Sequence, residues 1–147
     1  MSSAEMKISD ILKYSIKIEH ESQLFYEDSK TRVTDAPVVE LLTELAAEEV
    51  KHEARLTGLL KDLKDGDAEN FSRESLDRLI QNRQVTDGAA EKEVLETALE
   101  REEHTRDFYR QISTMTNLSD DVIDIFTMLF NQESGHVKRI SSKLKSL

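Results

Sequence analysis

Two stretches of this chain pair an acid with an imidazole at a spacing that suits metal chemistry: Glu49-Val50-Lys51-His52 and Glu133-Ser134-Gly135-His136. Residues three apart share a face of a helix, so each stretch can aim a carboxylate and a ring nitrogen at one point. A single E-x-x-H in an acid-rich helical chain means little, because glutamate is a good helix former and the spacing recurs by chance. Here it recurs in step with a second run. Ser15-Ile16-Lys17-Ile18-Glu19 through Phe25-Tyr26 precedes the first copy, and Ala98-Leu99-Glu100-Arg101-Glu102 through Phe108-Tyr109 precedes the second at almost the same interval. The chain is a tandem duplication of one motif pair. Glu19, Glu49, His52, Glu102, Glu133 and His136 are the candidate ligands of one dinuclear metal site, and its four glutamates are the candidate catalytic groups.

Apolar periodicity supplies the elements that must position them. A first helix is expected from Ser9-Asp10 to about Lys30, with the inward stripe Leu12, Ser15, Glu19, Ser22, Tyr26. Asp35 can cap a second helix and Pro37 is tolerated in its first turn; its stripe reads Val38, Leu42, Leu45, Glu49, His52, Leu56, Leu59, Leu63. A third helix, capped near Thr86-Asp87, carries Leu95, Ala98, Glu102, Thr105, Tyr109 and Ile112, and this phase selects Glu102 over Glu100 and Glu103. A fourth, capped by Ser119 with Asp120 and Asp121 in its first turn, carries Val122, Phe126, Leu129, Glu133, His136 and Ile140. Glu19 and Glu49 lie equally far from a turn at Thr34, as do Glu102 and Glu133 from a turn at Asn117-Leu118. In antiparallel hairpins equal distance means equal height, so two hairpins packed face to face bring the six residues into one layer.

The segment from 64 to about 88 is expected to be a connector, with a small helix around Phe71, Leu76, Leu79 and Ile80. Its length lets the third helix run parallel to the second. A further strip on the first helix, Ile11, Ile18 and Phe25, fits either the flank of the core or a dimer face. His20 and His104 are expected at the surface or its boundary.

Burying four carboxylates demands compensation, since each unpaired buried ion costs several kcal/mol. The inward stripes contain no Lys or Arg, so two divalent cations are the expected counter-charge, with neutral histidines as ligation requires. One imidazole per metal among carboxylates suits iron or manganese. Glu49 and Glu133 are expected to bridge, Glu19 and Glu102 to be terminal, and His52 and His136 to serve one metal each.

Composition narrows the classes. The 147 residues are expected to form one domain spanning 1–147, all-α given one Pro, four Gly and no Trp. A net charge of −10 disfavours nucleic acid. The absence of cysteine excludes thiolate sites and disulfides and suits a reducing cytosol. Met1-Ser2-Ser3-Ala4-Glu5-Met6 has no secretory features, and no run approaches about 18 apolar residues, so a cytoplasmic protein with no membrane partner is expected.

The six-residue pattern resembles the ferritin-like superfamily, and the E-x-x-x-x-x-F-Y run of Glu19 to Tyr26 and Glu102 to Tyr109 resembles the rubrerythrin-like group in particular. The resemblance covers all four helices and implies a ferritin-like four-helix bundle with a di-iron site. It also implies that Tyr26 and Tyr109 hydrogen-bond to ligand carboxylates. Each tyrosine stands about 10.5 Å along its helix from its own glutamate, so its partner must be on another helix. The chain has no cysteines for a rubredoxin domain, so electrons must come from a separate donor protein. Rubrerythrins tend to carry a further glutamate where Thr105 stands, which puts their usual peroxidase activity in doubt here. Bacterioferritin has the same ligand order, but Val50 replaces its haem-binding methionine, so no haem is expected.

The leading expectation is a non-haem di-iron, or di-manganese, oxidoreductase reacting with hydrogen peroxide or dioxygen in oxidative-stress defence or iron handling. A haem-free iron-storage ferroxidase resembling bacterioferritin is the first alternative, and a metal-free interaction bundle the second. A homo-oligomer is expected, with a dimer favoured.

Overall fold

The periodic segments form four long helices: α1 (Ile8–Ser29), α2 (Ala36–Asp62), α3 (Glu91–Ser113) and α4 (Asp120–Ser146). The structure, a computed structural model, describes residues 5–63, 67–72, 90–115 and 117–147, without the side chains of 5, 6 and 67–72. Asp10 sits in the first turn of α1 and accepts the backbone N–H of Lys7 at 3.1 Å, so the helix begins just ahead of the expected Ser9. Pro37 occupies the first turn of α2, where its missing N–H costs nothing. Ser119 and Asp35 stand at the N-cap positions of α4 and α2 but, against expectation, neither side chain makes a cap hydrogen bond; Asp120 and Asp121 lie in the first turn of α4, at the positive end of its dipole. Ala90 stands before α3, while Thr86 and Asp87 lie outside the described residues.

The expected stripes are the buried ones. On α4 the buried residues are Val122, Phe126, Leu129, Glu133, His136 and Ile140, one every three or four residues. Only Leu59 and Leu63, at the end of α2, are no more than partly buried. Ile11, Ile18 and Phe25 are buried within the chain itself, which makes that strip part of the core.

Two apolar clusters fix the topology. One gathers the start of α1 (Ile8, Ile11, Leu12), the end of α2 (Leu56), the end of α3 (Phe108, Ile112) and the start of α4 (Val122, Phe126). The other gathers Phe25 and Tyr26, Val38 to Ala46, Val94 to Ala98, and Ile140. Hence α1 opposes both α2 and α3 and runs parallel to α4, while α2 and α3 run parallel, as a long connector permits. At the second end, Asp35 N–H donates to Glu91 at 3.3 Å, tying the first turn to the start of α3. Each buried Leu or Phe contributes roughly 1.5–3 kcal/mol, and the two clusters bracket the layer that holds the carboxylates.

Beside this all-α bundle, β1 (Glu5–Lys7) and β2 (Asp67–Ser72) pair as a short antiparallel ribbon, with an irregularity between Glu5 opposite Ser72 and Lys7 opposite Asp67. Phe71, expected in a small helix, lies in β2. Leu76, Leu79 and Ile80 lie outside the described residues. Among the described residues no helix is long and apolar enough to cross a membrane.

Candidate metal centre

The phase of each helix carries its polar residues inward at the level between the two clusters. Glu19, Glu49 and Glu133 have no exposed surface, and His52, Glu102 and His136 are each 2 % exposed. All six converge. Donor atoms of Glu19, Glu49, His52 and Glu133 lie within 4.8 Å of one another, as do those of Glu49, Glu102, Glu133 and His136. The two groups share Glu49 and Glu133, which places those carboxylates between two potential ions, with Glu19 and His52 on one side and Glu102 and His136 on the other.

Nδ1 of His52 is 3.0 Å from Glu19 Oε2, 3.2 Å from Glu133 Oε1 and 3.6 Å from Glu49 Oε1. Nδ1 of His136 is 3.5 Å from one oxygen each of Glu49, Glu102 and Glu133. The two rings lie nearly parallel, 5.7 Å apart. Both nitrogens that enter the cluster are Nδ1, as expected of side chains three residues beyond a glutamate on the same face.

The outer glutamates are held from across the bundle. Tyr109 on α3 donates its hydroxyl to Glu19 Oε1 at 2.5 Å, and Tyr26 on α1 donates to Glu102 Oε1. Each therefore turns one oxygen to a tyrosine and the other to a histidine. The antiparallel crossing of α1 and α3 makes this exchange possible, because it sets each tyrosine level with the other helix's glutamate.

The cluster fits a pair of divalent cations. Both oxygens of Glu49, both of Glu133, Glu102 Oε2 and both ring nitrogens of His136 are buried with no aligned hydrogen-bond partner. Glu133 does lie 3.2 and 3.5 Å from the two histidines, but those contacts are charge pairs without hydrogen-bond direction. A buried polar atom left bare costs about 1–3 kcal/mol, so this many orphans would consume much of a stability of about 5–15 kcal/mol. Carboxylate oxygens with one imidazole per ion form a hard donor set that could hold two divalent cations.

Without metal the groups share protons. Burial raises the carboxyl of Glu49 well above its usual range, and the charges of Glu133 and Glu19 push the same way. Burial and Glu133 likewise raise Glu19, against the pull of His52 and Tyr109. Burial opposes charge on His52, but its contacts with Glu133 and Glu19 outweigh that and push it up to about 10. His136 is raised for the same balance of reasons, with Glu133 as its main partner. Glu133 is lowered: burial works against it, and the two histidines win. In the metal-free centre, burial thus favours the neutral carboxyl at Glu49 and Glu19, while the surrounding acids favour the charged form of His52 and His136.

Two nearby residues escape the inward stripes. Arg101, off the inward stripes, is buried with its guanidinium 4.4 Å from the centre of the Phe25 ring, a cation near the acids that the stripes themselves do not contain. It lies on the strip Val94, Arg101, Phe108, to which the duplication maps Ile11, Ile18 and Phe25; a charge opposite Ile18 was the available signal. Glu48, beside a ligand in sequence, lies 3.2 Å from His136 Nε2 and accepts from Arg139 Nη1 at 2.8 Å. No spacing rule within one helix points to it. His20 is exposed, 3.3 Å from Glu53, and His104 is half-buried.

A family model described as rubrerythrin matches residues 10–145, so the chain belongs to the rubrerythrin family. No curated protein and no solved structure matches it.

Proposed function

We propose that this rubrerythrin-family chain holds two iron ions among Glu19, Glu49, His52, Glu102, Glu133 and His136 and acts as an oxidoreductase on hydrogen peroxide or dioxygen. Electrons would come from a separate donor protein. The observation that carries this reading is the sharing of Glu49 and Glu133 by two overlapping donor groups. When bound, such a metal pair supplies two electrons and open positions for a small oxidant.

The chain's own contribution is ligation, orientation and proton balance. Glu49 and Glu133 stand between the two positions, and Glu19 and Glu102 close their outer sides. Tyr109 and Tyr26 pin one oxygen of each outer carboxylate, which leaves Oε2 of each as the inward donor. Such outer bonds fix the direction of a ligand and tune its basicity. His52 and His136 must lose their protons to ligate, as must the Glu49 carboxyl, so loading releases protons to solvent. Burial of every member keeps bulk water from competing for the carboxylates.

A second reading, a haem-free ferroxidase, is favoured by one observation. Thr105, where rubrerythrins tend to carry another glutamate, is buried and spends its hydroxyl on the Arg101 carbonyl at 3.0 Å. No further carboxylate is offered at that position.

Elemental analysis, followed by anaerobic reloading with ferrous iron, tests the site. About two ions per chain with peroxide turnover against a reductant supports the first reading. Rapid oxidation by dioxygen, with iron accumulating in a many-subunit shell, supports the second. No uptake after reloading would sink both and leave a metal-free interaction bundle.

A further inference from the structure

The duplication that relates the two halves of the centre breaks down just outside it. The offset that carries Glu49 to Glu133 and His52 to His136 also carries Arg55 to Arg139, so each E-x-x-H is followed at the same distance by an arginine. The two arginines meet different surroundings. Arg139 is spanned by two acids of α2, donating to Glu44 at 2.5 Å and Glu48 at 2.8 Å. The same offset turns Glu44 into Met128 and Glu48 into Gln132. Arg55 accordingly has no carboxylate partner among the described residues; its Nη1 approaches only the Met128 sulfur, at 3.2 Å, a weak acceptor.

These residues line one cleft of about 360 Å³ between α2 and α4, whose inner wall includes His52 and His136. At about 30 Å³ a water, it has room for a small ion and several waters. On the His52 side stand Arg55, the exposed ammonium of Lys51 and the amide of Gln132; on the His136 side Glu48 already neutralises Arg139. Neither Arg55 nor Lys51 pairs with a carboxylate among the described residues, so two cations and an amide donor share this side of the cleft.

We propose that this cleft binds a small inorganic oxyanion of the phosphate class, held by Arg55, Lys51 and Gln132 at the outer edge of the His52 half of the centre. A guanidinium fork with a neighbouring ammonium matches the oxygens of such an ion, and the neutral Met128 and Gln132 leave that fork free to use. Glu44 and Glu48 close the mirror position to anions. Nothing in the proposal requires metal in the centre.

The test is calorimetric titration of the full-length metal-free protein with inorganic phosphate, with ionic strength held constant by potassium chloride. Saturable binding of one phosphate per chain is the expected result. Arg55→Met should weaken it about tenfold or more. Gln132→Glu should do the same, because it recreates beside Arg55 the acid that occupies Arg139. Both positions are exposed, so the fold is not at stake, and Arg106→Met, a surface arginine of α3 beside Asp107, serves as the control. Absence of saturable binding, or equal affinity in Arg55→Met, Gln132→Glu and the control, would overturn the proposal. Repeating the titration on metal-loaded protein keeps failure of this cleft distinct from failure of the metal site.

Discussion

Glu19 on α1 accepts a 2.5 Å hydrogen bond from the hydroxyl of Tyr109 on α3, and its other oxygen lies 3.0 Å from His52. A carboxylate held at both oxygens from two other helices has little freedom to rotate away from an incoming ion. Tyr109→Phe and Tyr26→Phe keep the buried ring and remove only the donor. Each should destabilise the metal-free protein by about 1–3 kcal/mol in urea denaturation and weaken ferrous binding by about 10- to 100-fold. Unchanged affinity in both variants would reduce the tyrosines to core packing.

The sharing of Glu49 and Glu133 predicts unequal consequences for the four glutamates. Glu49→Ala or Glu133→Ala removes a donor from both positions and should abolish paired binding. Glu19→Ala or Glu102→Ala removes a donor from one position and should leave about one ion per chain tightly bound. Elemental analysis after gel filtration distinguishes the two patterns. Retention of two metals by Glu49→Ala would sink the assignment.

The pH dependence of the metal-free protein follows from the sign of each shift. His52 rises from 6.5 to about 10 and His136 also rises from 6.5, so each contribution is complete below pH 6.5 and is lost as pH climbs through the raised value, about 10 for His52. Glu49 and Glu19, raised from 4.5, act in the same direction from lower pH upward. Glu133, lowered from 4.5, adds stability above that value and offsets them only at the acid end. Denaturation at pH 6.5, 8 and 9.5 should therefore show the metal-free protein weakening with pH. Ferrous affinity should rise over the same interval, because uptake displaces these protons. A metal-free stability that grows with pH would contradict the proton assignment.

Metal removal should cost stability by mass action. At free metal about 100 times its dissociation constant, one site adds about 2.7 kcal/mol, so calorimetry should give a Tm that falls when a chelator is added. The same chelator should leave the Glu49→Ala melt unchanged. A melt indifferent to chelator in the parent protein would favour a bundle that works without metal.

How far each residue was legible depends on the range of the interaction that places it. The helical repeat is local: a residue's neighbours three and four positions away fix the face it takes, so Glu19, Glu102 and both E-x-x-H pairs could be set inward from spacing alone. Their common height was equally local, since it follows from counting residues back to each turn. Asp10, Pro37 and the Ser119-Asp120-Asp121 run marked three helix starts for the same reason, although neither Asp35 nor Ser119 makes a side-chain cap bond and α3 begins after Ala90 rather than at Thr86-Asp87. Phe71 was not legible as a strand residue because its two-stranded pairing depends on a partner at the distant N-terminal end, which no window on the segment contains; the rest of the small helix expected there lies outside the described residues.

Only the tertiary structure decided what met what. The antiparallel crossing of α1 and α3, and with it the exchange of tyrosines between Glu19 and Glu102, depends on which ends of four helices share a cluster. Burial of Arg101 against Phe25, the hold of Arg139 on Glu44 and Glu48, and the open arginine at position 55 are likewise contacts between residues far apart in the chain. The sequence by itself determined the inward faces, the level of the polar layer and the kind of chemistry it could hold. Orientation, proton sharing and the charge of the cleft outside it came from packing, because the energies that set them arise between helices and leave no periodic trace within any one of them.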